Sequence, residues 1–150
     1  MLLLTILLTT ALADTLNWSD PATWGGTKPA AGTVVTVPEN TIIRLDESPP
    51  ALAGLNVDGV LVFDRRDLTL TAGWIMIHGR MEIGTTARPF TQQARLLLNA
   101  TSTSESIMGM GTRGIMVMDG ELELHGTPPA VAWTKLNAHG PAGATSLTLM

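Results

Sequence analysis

Apolar and polar residues alternate on both sides of three glycines, Gly59, Gly79 and Gly120. Alternation with a period of two is typical of short strands that bury one face. The pattern therefore predicts two strands joined by a tight bend at each glycine, where glycine adopts a backbone conformation that costs other residues energy. The predicted inward positions are Leu55, Val57, Leu61 and Phe63, then Ile75, Ile77, Met81 and Ile83, then Met116, Met118, Leu122 and Leu124.

The spacing of these glycines predicts a repeating coil of about 20 residues. The interval from Gly79 to Gly120 is about twice the interval from Gly59 to Gly79, so a hidden unit is expected with its bend near Asn99. Weaker copies occupy 33–45 and 139–149. Because no helical periodicity accompanies the repeat, we expect an all-β fold, a right-handed parallel β-helix-like solenoid with an N-terminal cap. The alternative is a β-sandwich, whose turns would recur about every 8–12 residues.

The two ends of the chain depart from the repeat. Residues 1–13 are apolar and end in Ala-Leu-Ala, which is typical of a secretory signal peptide, and they are shorter than the roughly 20 residues that span a bilayer. A buried N-terminal strand or helix is the alternative. Residues 18–38 are rich in turn residues and predict the cap. We expect one module over 14–136, and over 137–150 the truncated start of a further β-rich region of a longer protein.

Composition narrows the function classes. The chain has 45% hydrophobic residues and a net charge of −4, which excludes intrinsic disorder. Its nine Lys and Arg are scattered, so no basic face for nucleic acid is expected. Zero cysteines exclude disulfides and thiolate metal sites. No motif of a known cofactor or metal site is present, so we expect no cofactor and no metal. The sequence has no second apolar stretch after residues 1–13, so we also expect no transmembrane span.

Several distinctive motifs follow one another in the sequence: Trp18-Ser-Asp-Pro-Ala-Thr-Trp24-Gly-Gly, Gly32-Thr-Val-Val-Thr-Val-Pro38, Leu55-Asn-Val-Asp-Gly59, Ile83-Gly-Thr, Arg88-Pro-Phe90, Gly120-Glu-Leu-Glu-Leu-His-Gly126 and Ala132-Trp-Thr-Lys-Leu136. In this order they resemble the G8 domain family over about residues 17–136. That family is a β-rich module of fibrocystin-like proteins and of hyaluronan-binding and hyaluronidase-like surface proteins. The resemblance implies a secreted or cell-surface location and a polysaccharide, of the hyaluronan kind, as partner. The family often carries Asp where this chain has Thr33.

The residues that precede the bends are the candidates for catalysis. Asp58, His78 and Asp119 should project from one corner of the stack, and adjacent coils are about 4.8 Å apart. An acid and an imidazole at that distance suit general acid–base cleavage of a glycosidic bond, with Arg80 or Arg113 holding a uronate carboxylate. Ordinary turn chemistry also explains Asp-Gly and His-Gly, and we favour that interpretation.

The remaining polar and aromatic features predict surface and packing roles. Asn17 and Asn99 begin N-glycosylation triplets if the source is eukaryotic. Glu121 and Glu123 alternate with leucines, which predicts a solvated face, and Trp74 is expected to pack. Four methionines, at 108, 110, 116 and 118, are expected to fill the core. The sequence thus favours a non-catalytic extracellular module with a structural, glycan-associated role, and the alternative is part of a hyaluronidase-like polysaccharide depolymerase.

Overall fold

The computed structural model describes residues 14–99, 107–109 and 111–150, so the predicted signal peptide and the methionine at 110 lie outside the described residues. Among these residues strands dominate, and helix is limited to two short 3₁₀ segments, Pro21–Trp24 and Ile107–Gly109. The strands are β1 (Thr15–Asn17), β2 (Val34–Val37), β3 (Ile42–Leu45), β4 (Gly54–Val57), β5 (Val60–Phe63), β6 (Leu68–Ala72), β7 (Ile75–Ile77), β8 (Arg80–Ile83), β9 (Ala94–Leu98), β10 (Ile115–Val117) and β11 (Glu121–Leu124).

These strands form three sheets. Sheet A has the order β1-β3-β5-β8-β11, sheet B has the order β10-β7-β4-β2, and sheet C pairs β6 with β9. Every pairing between these strands is parallel. A β-sandwich is built from antiparallel strands, and in the described part of the chain an antiparallel contact occurs only as an isolated bridge between Leu136 and Leu149. The predicted all-β class is confirmed, with parallel sheets.

The chain visits the sheets in a recurring order. From β4 to β9 it passes through sheets B, A and C and then through B, A and C again. Leu55 pairs with Ile75 and Leu61 pairs with Met81, so the partners are separated by the same interval as Gly59 and Gly79. The repeat predicted around these two glycines is therefore present in the strand register.

One core lies between the sheets, built from the inward rows of successive strands. Leu55, Leu61, Ile75 and Met81 are all 0% exposed, as the alternation predicts. No polar or charged residue is fully buried among the residues that the structure describes. Burial of one such apolar side chain stabilises the fold by about 1.5–3 kcal/mol.

The corner glycines are required for a reason other than the predicted one. Gly59, Gly79 and Gly120 do not have positive φ. A Cβ on Gly79 would lie 2.0 Å from the carbonyl oxygen of Gly59, and a Cβ on Gly59 would lie 2.1 Å from that of Pro38. Glycine is needed because each corner packs directly against the backbone of the coil before it.

The hidden coil predicted near Asn99 is wrong. Strand β11 pairs directly with β8, so the chain from Gly79 to Gly120 makes one long circuit rather than two. Strand β9 pairs with β6 in sheet C, and Asn99 follows it, donating its N–H to the carbonyl of Ala72. The copy expected at 139–149 forms no strand, and its one bridge is antiparallel.

The register at β10 also differs from the alignment on glycine. That alignment placed Met116 opposite Ile75, whereas Ile115 takes this position and Met116 pairs with Met76. The next corner contains one extra residue, and Asp119 there has a left-handed φ of 57°. Met116 is only 6% exposed and pairs with the buried Met76, so the expectation that it fills the core is confirmed, although both residues lie outside the main core cluster.

Two tryptophans anchor the N-terminal segment to the core. Strand β1 extends sheet A beside β3. Trp18 is 1% exposed and belongs to the core cluster. The Trp24 ring lies 4.7 Å away in an edge-to-face arrangement and donates its Nε1–H to the Trp18 carbonyl at 2.8 Å. These contacts support the predicted cap.

A carboxylate fastens this segment to the end of β3. Asp46 accepts hydrogen bonds from the N–H of Ser19 at 2.9 Å and from its hydroxyl at 2.6 Å. Partial burial raises the pKa of Asp46, but these hydrogen bonds and the charge of Arg66 outweigh it, so the pKa lies below its ordinary 3.8. The carboxylate therefore contributes its full stabilisation at pH values above its ordinary pKa of 3.8. This stabilisation is lost as the pH falls through the lower pKa of the folded state.

We expect Asp46→Asn to lower the melting temperature at pH 7 and to flatten the loss of stability between about pH 4 and pH 2. Thermal unfolding followed by circular dichroism across that range measures both effects. Asp119→Asn is the control, because that exposed carboxylate has no hydrogen bond to another described residue. An unchanged pH profile in Asp46→Asn would show that the contact with Ser19 does not stabilise the fold.

Candidate functional site

Two of the three predicted corner residues are in contact. His78 Nδ1 lies 3.0 Å from Asp58 Oδ1, joining successive coils. The backbone sets this contact, because the N–H groups of Asp58 and His78 bond to the carbonyls of Val37 and Val57, one coil earlier in each case. Both side chains are substantially exposed, at 32% and 44%. The pair can therefore exchange a proton with a ligand at the surface.

The third predicted residue, Asp119, does not join the pair. Because of the extra residue at its corner, Met118 takes the backbone position of His78 and donates its N–H to the carbonyl of Ile77 at 2.8 Å. Asp119 is exposed and makes no hydrogen bond or ion pair with another described residue. The corner therefore offers one carboxylate and one imidazole, without a third group in line.

Arg80 is surrounded by glutamates on the outer face of sheet A. Its guanidinium contacts Glu82 at 2.9 Å, Glu121 at 3.7 Å and, most closely, Glu123. His125 lies 3.5 Å from Glu123. Burial lowers the pKa of Arg80, but the hydrogen bond to Glu123 and the charges of the three glutamates outweigh it, so the pKa is raised. Arg80 is thus already paired, which argues against its predicted contact with a uronate, and Glu123 lies in a charged cluster rather than on a freely solvated face.

A groove beside this cluster collects arginines that are distant in the sequence. It has a volume of about 460 Å³. Arg44 comes from β3, Arg65 from the turn after β5, and Arg88 from the loop after β8. We name this feature the arginine groove; its lining is completed by Val62, Phe63, Asp64, Glu82, Gly84 and Thr85.

The arginine groove was not found in the sequence. Arg44 and Arg88 are far apart along the chain, and the basic residues appear scattered until the strands are stacked. The outward position of Arg44 in the alternation of β3 was the only local signal. The residues that lie beside Arg44 are set by the pairing of β3 with β5 and of β5 with β8, which the sequence alone does not show.

The other predicted positions have simpler surroundings. The Trp74 ring packs directly over Gly54 of β4, so closely that a Cβ on Gly54 would lie 2.2 Å from it. The prediction that Trp74 packs is confirmed. Asn17 and Asn99 are exposed, and Thr101 of the second glycosylation triplet lies outside the described residues. Arg113 is exposed on the loop before β10.

Among the described residues, no three His, Asp or Glu side chains are grouped so that they could hold a metal ion. The described part of the chain also has no helix with the length and apolarity needed to cross a bilayer.

Comparison with known proteins finds one family and several relatives. The G8 domain model matches residues 23–137. Fibrocystin-L of Mus musculus and of Homo sapiens are each 36% identical over 136 residues, which cover 88% of this chain. Fibrocystin of Mus musculus is 32% identical over 138 residues, or 89% of this chain. No solved structure matches.

The relatives are far longer than the aligned region. The match covers 3% of each of these three curated relatives. The chain therefore corresponds to a small unit within them.

Proposed function

Because the chain belongs to the G8 domain family, we propose that it is a non-catalytic extracellular module with a structural, glycan-associated role in a larger secreted or cell-surface protein. The main support is that the matching region makes up only 3% of each of the three relatives, since this indicates one unit within a long chain. The parallel stack supports a scaffold role, because its single core is closed at the N-terminal end by Trp18. The signal-like residues 1–13 support export.

We propose further that the stack is a right-handed parallel β-helix-like solenoid. The recurring order of sheets B, A and C supports it, as does a strand register that repeats at the interval between Gly59 and Gly79. Parallel strands joined by a crossover are right-handed in about 98% of cases, which favours this hand. The proposed boundaries remain a signal peptide over 1–13, the module over 14–136 and a further β-rich region from 137. Glycosylation at Asn17 and Asn99 would be compatible with their exposure.

Secretion and incubation with a polysaccharide test this proposal. The chain is expressed with its own N-terminus in a secreting eukaryotic cell, purified from the medium and incubated with hyaluronan of defined length. We expect secretion, and retention of the protein on the polysaccharide without any shortening of the polymer. Retention inside the cell would contradict the extracellular location, and absence of binding to hyaluronan and to other acidic and neutral polysaccharides would contradict the glycan association.

The contact between Asp58 and His78 supports a second candidate, part of a hyaluronidase-like depolymerase. A carboxylate beside an imidazole can act as an acid–base pair, although the exposure of these two side chains does not exclude water from them. Shortened hyaluronan chains in the incubation would favour this candidate over the non-catalytic module.

Replacement of Asp58 and His78 together by Asn separates the two candidates. The non-catalytic module predicts unchanged secretion and unchanged turnover of polysaccharide by the full-length protein. The depolymerase predicts a loss of turnover of about 100-fold or more, the usual contribution of a general acid or base. Asp119→Asn is the control for loss of a corner carboxylate outside the pair, and the size distribution of hyaluronan, measured by mass spectrometry, is the readout.

A further inference from the structure

We propose that the arginine groove binds an acidic sugar unit, in which one carboxylate or sulfate ester is carried on a ring bearing free hydroxyls. This inference rests on the proposed glycan association and assigns it to one surface. The groove volume of about 460 Å³ lies within the roughly 300–1,000 Å³ typical of small-molecule sites.

Two of the three guanidinium groups in the groove are available to an anion. The side chains of Arg44 and Arg88 are exposed and make no hydrogen bond or ion pair with another residue in the described part of the chain. A guanidinium presents donors in a planar fork that matches the two oxygens of a carboxylate or sulfate. These two guanidinium groups therefore carry positive charge that no ion pair in the described part of the chain neutralises.

The third arginine fixes one wall of the groove. Arg65 donates from its guanidinium to the carbonyls of Arg88 and Pro89, which holds the loop after β8 against the turn after β5. Within that loop, the N–H groups of Thr85 and Arg88 each donate to the carbonyl of the other residue at 3.1 Å. A wall that is already ordered reduces the conformational entropy lost on binding.

Hydrogen-bond acceptors in the same lining favour a sugar over other anions. Asp64 and Glu82 both line the groove, and each uses one carboxylate oxygen to bind an arginine outside it. The arginines are Arg66 and Arg80 respectively, and the second oxygen of each carboxylate remains for a ligand. Arg80 is shared by three glutamates, so Glu82 is only partly neutralised. These oxygens would repel a bare anion such as phosphate, whereas the hydroxyls of a sugar ring can donate hydrogen bonds to them. The lining thus matches a ligand that is both an anion and a hydroxyl donor.

The test compares two variants with the same loss of charge. Arg44→Ala/Arg88→Ala removes the available guanidinium groups, and Arg95→Ala/Lys135→Ala removes two exposed cationic side chains that do not line the groove. The secreted chain is titrated at low salt with a hyaluronan oligosaccharide, a sulfated oligosaccharide, a neutral oligosaccharide, inorganic sulfate and poly-glutamate. We expect the groove variant to bind the acidic oligosaccharides about tenfold more weakly, which corresponds to about 1.4 kcal/mol, and the control variant to bind within twofold of the unaltered chain.

Each remaining outcome overturns a stated part of the proposal. Equal binding of acidic oligosaccharides by the groove variant and the unaltered chain would overturn the groove and leave the glycan association standing. Binding of the neutral oligosaccharide alone would do the same. Binding of inorganic sulfate or poly-glutamate as tightly as the acidic oligosaccharides would overturn the ligand class. Absence of binding to every oligosaccharide would overturn both the groove and the glycan association. Thermal unfolding of both variants checks that each remains folded.

Discussion

Gly79→Ala is expected to lower the free energy of unfolding by about 3 kcal/mol or more, a large share of the roughly 5–15 kcal/mol typical of a domain. The added methyl group would lie 2.0 Å from the carbonyl oxygen of Gly59 and 2.4 Å from that of Asp58. Both atoms belong to the backbone of the adjacent coil, so no side-chain rotation relieves the clash. The two coils must separate, which weakens the parallel pairing of β5 with β8.

Gly114→Ala is the matched control for this substitution. Gly114 also lacks a positive φ, and a Cβ there meets no atom within 4 Å. We expect its stability to stay within about 0.5 kcal/mol of the unaltered chain. Urea unfolding and the amount secreted measure both variants. Equal stability of Gly79→Ala and Gly114→Ala would show that the coils are not in contact at this corner.

Trp18→Ala is expected to cost about 3–5 kcal/mol, because it removes a large buried ring from the N-terminal end of the core. Trp18 is 1% exposed, and its ring is the edge-to-face partner of Trp24. Its loss leaves Trp24 without that partner and exposes the interior of the first coil. The segment from β1 to Trp24 should then detach, while the sheets further along the chain keep their pairing.

Trp133→Ala provides the control for loss of an indole ring. Trp133 is 71% exposed and lies outside the core cluster. We expect it to change the unfolding free energy by no more than about 0.5 kcal/mol. Hydrogen exchange resolves the two cases, since Trp18→Ala should increase exchange first in β1 and β3. A uniform increase throughout the stack would contradict a local cap.

The same stacking that makes these two sites sensitive also creates the candidate binding surfaces. Asp58 and His78 meet because their corners are neighbours in successive coils, and the arginine groove forms because β3, β5 and β8 lie side by side in sheet A. A structural role for the module and a ligand-binding role for its outer face are therefore compatible. The inward rows maintain the stack, and the outward positions are free to vary in chemistry.

Local alternation was sufficient for much of the fold. The strands around Gly59 and Gly79, their inward residues and the period of the repeat all follow from the sequence, because a strand with one buried face imposes a period of two on its own residues. The contact of Asp58 with His78 followed as well, since both residues precede a corner of the repeat. Packing of Trp74 was also predictable from its position beside a buried strand.

Only the tertiary structure decided which strands became neighbours. The pairing of β8 with β11 turned an expected pair of coils into one long circuit, and one extra residue at Asp119 shifted the register of β10. The pairing of β5 with β8 explained the need for glycine at Gly79, and together with the pairing of β3 with β5 it placed Arg44 and Arg88 in one groove. Each of these features depends on contacts between residues at least one coil apart in the sequence, and alternation within a strand carries no information about its partner.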